Sequence, residues 1–426
     1  MEKVNYKITE KSHIKMLFLL CWLSYFSTYL GRLNYSAGLT EIIQSEGFTK
    51  GQAGIIGTAF FLAYGGGQFV SGFLGDRLSP RKMVFTGLFI SAIANLLMSV
   101  SSSYLIMTVI WCFNGLFQAF IWSPMIRLMF EYYKTETRTQ ACVYLNSSVP
   151  IGTMAAYGGT AALIWLSGWR MTFVFAGFLL LVISAVWFVG MGRLEAYAEK
   201  YGEPEFPAPM PAVGQRSSQA GIFSWKSLLI ESGFLLLMAA LFVQGALKDG
   251  VTTWVPAYIS ETYQLENIIA IVSTMVIPIF NLSGVFLASI ANIRLFKNEI
   301  RTAGAFFLVC AVSLLILWGV SGKSVVISFM MLAISTTAMM AVNTMLIAVL
   351  PSHFGVIGKA SSISGLLNSS VYVGGAISTY GIGTLSVIIG WEGTILVWFF
   401  LAVLAMGLCF AVVKPWLRYR KQVLHL

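Results

Sequence analysis

At 426 residues, with 57% hydrophobic and only 10% charged side chains, the chain is too apolar for a soluble globular domain and reads as a polytopic helical membrane protein. Its formal net charge of +10 does not mark a nucleic-acid binder, because the bases sit in short loops between apolar stretches, where they set membrane topology. The cysteines Cys21, Cys112, Cys142, Cys310 and Cys409 lie in apolar segments at no metal-ligand spacing, and His13, His353 and His425 are peripheral; disulfides, a metal site and a histidine relay are not expected.

The first polar residues carry Lys3, Lys7, Lys11 and Lys15 with no small-residue cleavage site after them, so the start of the chain is not a cleavable signal. Roughly 12 apolar spans of bilayer length follow. The first, Leu17–Ile43, organises the rest because Arg32 interrupts it. An unpaired arginine at membrane depth costs roughly 3 kcal/mol, so it is tolerated where it faces a cavity or a partner. Tyr25, Tyr29, Arg32 and Ser36 fall on one stripe of a helix, a wall suited to a polar anion.

Further first-half spans are expected near 51–74, 83–101, 104–131, 139–166 and 170–192. Arg193–Ser224 then reads as a linker, with Pro204, Pro207, Pro209 and Pro211 among Glu195, Glu199, Glu203 and Glu205, a composition that packs no core. Second-half spans are expected near 227–259, 264–291, 300–320, 324–350, 357–388 and 391–413. The expected organisation is a six-helix half over 1–192, a linker over 193–224 and a second six-helix half over 225–426. Bases cluster at the N-terminus, at Arg77–Lys82, Lys134–Arg138 and Arg294–Arg301, in the linker and at Lys414–Lys421. The opposite loops hold mostly Glu41, Glu46, Glu261, Glu266 and Glu392, so both termini are expected in the cytoplasm. Glycine pairs within spans, such as Gly158-Gly159 and Gly374-Gly375, let helices approach closely.

The loop after the second span reads Gly72-Phe-Leu-Gly75-Asp76-Arg77-Leu-Ser-Pro-Arg81-Lys82. An acid and several bases at adjacent helix ends can latch one conformation of a rocking bundle. The pattern resembles the signature loop of the major facilitator superfamily, and its Ser-Pro variant is similar to that of the organophosphate:phosphate antiporters (the glycerol-3-phosphate and hexose-phosphate exchangers). The fourth span, with Asn114, Gln118, Trp122, Pro124 and then Arg127, resembles the same family's fourth helix. Arg127 is expected to join the latch with Asp76 or Glu131, or to act as a helix-end cation.

The seventh span carries Lys248-Asp249 between Gly245 and Pro256, placed in its half much as Arg32 is in the first. Paired interrupted segments point to a midplane binding site. The resemblance implies an all-α fold of twelve transmembrane helices in two pseudosymmetric halves, working by alternating access. It also implies that Arg32 and Lys248 clamp a substrate phosphate, with Tyr25, Tyr29, Tyr64 and Tyr372 around it. Two departures, Gln68 for the family's second-helix lysine and Ser147–Ser148 where its fifth-helix histidine falls, leave less positive charge. Lysine at 248, where the family has arginine, keeps the charge without the bidentate fork. Neighbours in a helix point about 100° apart, so Lys248 and Asp249 need not neutralise each other. Asp249 either bonds a neighbouring helix, the preferred reading, or faces the cavity as a protonatable coupling group.

The resulting expectation is a secondary transporter of a small organic anion, a phosphorylated three-carbon or sugar compound, exchanged for inorganic phosphate. An alternative is a proton-coupled symporter of carboxylates such as hexuronates, which the stretch Tyr29–Leu39 also resembles. A non-transporting anion sensor is a third reading. No cofactor or enzymatic activity is expected, because no span carries a nucleophile–base pair or a phosphate loop. A functional monomer in a bacterial inner membrane completes the expectation.

Overall fold

The computed structural model describes residues 5–205, 225, 227–264 and 276–423. Among these, eleven helices are long and apolar enough to cross a membrane. The remaining crossing is residues 360–389, whose serines and glycines lower its hydropathy. It continues into the last span as Ala360–Val423, bent where Gly390 adopts φ 70°, a conformation open to glycine at little cost.

Six spans form each half. In the first, α1 is Lys11–Ala37, followed by the short α2 at Leu39–Glu46. Next come α3 (Lys50–Gly75), α4 (Pro80–Val100) and α5 (Tyr104–Tyr132). The fifth crossing is α6 (Thr135–Asn146) with α7 (Ser148–Ser167), and the sixth is α8 (Trp169–Tyr201). The second half opens with α9 (Phe234–Gly245), a π-turn at Ala246–Gly250 and α10 (Val251–Tyr263). It continues with α11 (Ile277–Ala291), α12 (Glu299–Val320), α13 (Val325–Asn343) and the long α14 (Ala360–Val423).

Three boundaries differ from the sequence reading. The first span does not run on to Ile43: it stops at Gly38, and α2 ends at Gly47 in the left-handed conformation. The sixth helix continues through Arg193 to Tyr201, so the start of the expected linker is helical. Glu203–Glu205 then forms a strand paired antiparallel with Asn5–Lys7. This strap lies over the end of α5, where Ile8 N–H donates to Tyr132 O at 3.1 Å and the buried Lys7 ammonium donates to Phe130 O. A cation on the last carbonyls of a helix is favourable. The rest of the linker, and the start of the eighth span with Glu266, lie outside the described residues.

Contacts between the halves run towards the side that carries both chain ends. There Gly72 lies so near α14 that a Cβ would come 3.0 Å from Gly365 Cα. Higher up, Ser369 Oγ donates to Gly65 O at 3.1 Å and Asn146 Nδ2 donates to Thr344 Oγ1 at 2.8 Å. Within the second half a Cβ at Gly374 would come 2.7 Å from the Phe242 carbonyl carbon; the glycine lets the seventh and eleventh helices pack backbone to backbone.

Candidate functional site

Arg32 is 8% exposed. Its guanidinium carbon lies 3.8 Å from the Tyr29 ring centre and 5.4 Å from that of Tyr64. It makes no ion pair among the described residues. Cation–π contacts of this kind contribute about 0.5–2 kcal/mol each, which offsets part of the cost of burying the charge.

The backbone beside it is held by a network that the sequence reading did not assign to the site. Gly31 O accepts from Asn95 Nδ2 at 3.0 Å, Asn114 Nδ2 at 2.9 Å and Gln118 Nε2 at 3.3 Å. Asn34 Nδ2 donates to Asn95 Oδ1 at 2.8 Å, and Asn34 Oδ1 accepts from the Tyr35 N–H at 3.0 Å. Ser91 Oγ closes the ring by donating to Asn114 Oδ1 at 2.6 Å and accepting from Gln118 Nε2 at 2.8 Å. Glycine eases this approach, since a Cβ at 31 would lie 2.5 Å from Leu180 Cδ1 and 3.2 Å from Asn95 Nδ2. The available signal was four carboxamides on otherwise apolar spans, which must find partners at membrane depth.

The four tyrosines lie in two ring pairs near Arg32. Tyr25 and Tyr29 meet edge-on at 5.7 Å, and Tyr64 and Tyr372, from opposite halves, at 4.5 Å. All four lie in the electrostatic surroundings of Arg32. Tyr29 also lies in the electrostatic surroundings of Lys248. Tyr25, Tyr29, Tyr372 and Lys248 line one narrow cavity of about 20 Å³. Arg32 and Tyr64 are outside that lining, so the two cations differ in access: Lys248 stands at the wall, Arg32 behind Tyr29.

Lys248 and Asp249 do neutralise each other directly, with Nζ 3.3 Å from Oδ1. Both sit in the π-turn Ala246–Gly250, and the long, flexible lysine stem lets its ammonium reach back to the neighbouring carboxylate. Asp249 also packs on the eleventh helix, where a Cβ at Gly375 would lie 3.1 Å from its Oδ2. Lys248 is 18% and Asp249 40% exposed, so the acid stays accessible while paired. Six further lining residues were not anticipated as site residues, among them the polar or aromatic Trp122, Asn146, Asn343 and Asn368.

Of the four gate residues, Asp76 joins the halves. Its Oδ1 accepts from Ser361 N–H at 3.0 Å, and its Oδ2 accepts from Ser362 N–H at 3.2 Å and from the Ser362 hydroxyl. These groups lie at the start of α14, where unpaired amides and the positive end of the helix dipole favour an oxygen acceptor. Burial pushes the Asp76 carboxyl above its usual range, and the Ser362 hydrogen bonds pull it partly back. Arg127 pairs with Glu131 at 2.8 Å and donates to Gly75 O at 2.6 Å and Leu78 O at 3.0 Å. Arg81 pairs with Glu195 at 3.2 Å. Both hold their own half together rather than meeting Asp76. Arg77 is exposed and makes no ion pair among the described residues.

Residues 21–379 match the family model described as Major Facilitator Superfamily. The chain is 27% identical over 418 residues to a probable hexose phosphate transport protein of Chlamydia trachomatis, covering 92% of this chain and 88% of that protein. It is 26% identical over 324 residues to the glycerol-3-phosphate transporter of Bacillus subtilis, covering 71% and 70%. The membrane sensor protein UhpC of Salmonella typhimurium is 24% identical over 413 residues, covering 94% and 91%. Among solved structures, the transporter FucP in its outward conformation superposes with a TM-score of 0.69 at 17% identity, over 97% of this chain and 100% of that one, a likeness of fold alone. With a family match across most of its length and eleven helices among the described residues apolar enough to cross a membrane, the chain belongs to the Major Facilitator Superfamily of transporters.

Proposed function

We propose that this protein carries a small organophosphate anion across a bacterial inner membrane by alternating access, in exchange for inorganic phosphate. The observation that carries the reading is one cavity shared by both halves, with Lys248 at its wall and Arg32 behind Tyr29. The relatives named for hexose phosphate and glycerol-3-phosphate transport support the substrate class. A phosphate carrying roughly −1.5 to −2 charge relieves the cost of partly desolvated cations. Loaded crossing is therefore easier than empty crossing, and easier loaded crossing in both directions is exchange. The basic loops put both termini in the cytoplasm, so the halves meet on the cytoplasmic side and substrate enters this conformation from outside. One chain supplies the whole cavity, so a monomer suffices.

In proteoliposomes, uptake of labelled phosphate ester is expected to require phosphate inside. Uptake that runs equally fast into vesicles with no internal anion would overturn exchange. The Lys248–Asp249 pair favours a second reading, proton-coupled symport: a proton on Asp249 frees the lysine for the incoming anion. Under that reading Asp249→Asn abolishes accumulation driven by a pH gradient and spares counterflow. Under exchange, no accumulation responds to the gradient in either protein.

A further inference from the structure

Besides the tyrosines and lysine, the cavity is lined by three carboxamides from three helices: Asn146 on α6, Asn343 at the end of α13 and Asn368 on α14. They are 1%, 7% and 5% exposed. The side chains of Asn343 and Asn368 make no hydrogen bond among the described residues. Asn146 spends its amide on Thr344 at 2.8 Å, but its Oδ1 is buried with no partner. Trp122, on the same cavity, likewise has a buried indole N–H with no partner. A buried polar group left unpaired costs about 1–3 kcal/mol, and at membrane depth it marks function. These groups are neutral, and a carboxamide both donates and accepts. The nearby carboxylate, Asp249, is already paired with Lys248.

We propose that Asn343 and Asn368, with the free oxygen of Asn146, form a specificity subsite that reads the hydroxyl groups on the carbon skeleton of the substrate, while Lys248 and the tyrosines hold its phosphate. A hydroxyl is the ligand group that matches a carboxamide in both directions. An ammonium would leave the amide donors unpaired, and a second carboxylate would leave the amide oxygens unpaired. The inference rests on the organophosphate reading and adds what selects among phosphate esters. It makes the two asparagines of the second half determinants of discrimination rather than of anion binding as such.

The test compares two probes of one length, glycerol 3-phosphate and n-propyl phosphate, by ligand-induced thermal stabilisation of the purified full-length protein, with inorganic phosphate alongside. Wild type is expected to prefer the hydroxylated ester by about tenfold or more, the worth of one or two hydrogen bonds. Asn343→Leu and Asn368→Leu are each expected to bring that ratio towards one, and Asn343→Ser and Asn368→Ser to restore part of it. Equal binding of the two esters by wild type that still binds inorganic phosphate overturns the subsite alone, whether or not any variant folds. A preference that survives both leucine variants overturns it as well. Wild type that binds no phosphate compound overturns the organophosphate reading and the subsite with it.

Discussion

Replacing Lys248 by alanine is expected to abolish stabilisation of the protein by phosphate esters. The lysine is the cation with direct access to the cavity, and a charge-assisted hydrogen bond is worth about 1.5–3 kcal/mol. The loss is larger than one bond, because Asp249, now 3.3 Å from Nζ, would be left as an uncompensated acid facing an anion. A ligand at 100 times its dissociation constant stabilises by about 2.7 kcal/mol, and a thermal-shift titration reads its disappearance. The double variant Lys248→Ala, Asp249→Ala removes both charges and is expected to bind phosphate more tightly than the single variant. If the double variant binds no better, the acid does not act electrostatically on the site. Arg32→Ala is expected to lose the same stabilisation by a different route: Tyr29 loses the cation stacked 3.8 Å beneath it and no longer holds its phenol against the ligand.

Asp76→Ala is expected to move the resting conformation about tenfold towards opening on the side that carries the termini. The carboxylate caps the start of α14 across the interface of the halves through two backbone amides and a hydroxyl. Loss of such a cap costs about 0.5–2 kcal/mol, and 1.4 kcal/mol is tenfold in population. Asp76→Asn is expected to be mild, since asparagine caps as well as aspartate. Spin labels at the exposed positions Leu78 and Val356 report the separation of the two halves. A distance distribution for Asp76→Ala identical to wild type would remove Asp76 from the gate.

How much of this was legible in advance follows from what a one-dimensional pattern can carry. Most of the crossings and the basic loops between them follow from hydropathy and charge alone, because the bilayer fixes span length. The stripe Tyr25, Tyr29, Arg32 was equally readable, since residues on one helix share a face by its period. Asp76 stood out as an acid among bases. Its partner did not, because helix-start amides at Ser361 and Ser362 leave no mark in side-chain chemistry.

Tertiary structure decided what lies between helices. Period says which residues of one helix share a face and nothing about which helix they face. The carboxamide network on Gly31, drawn from the first, third and fourth helices, therefore emerged only on packing. The same holds for Asn146, Asn343 and Asn368 on one cavity. Lys248 and Asp249 pair within the π-turn Ala246–Gly250, directly after Gly245 packs on the backbone of Val371. Residue types fixed most of the spans and the cationic character of this chain. Helix packing fixed which of its two cations touches the cavity, because access is a property of neighbours rather than of residue type.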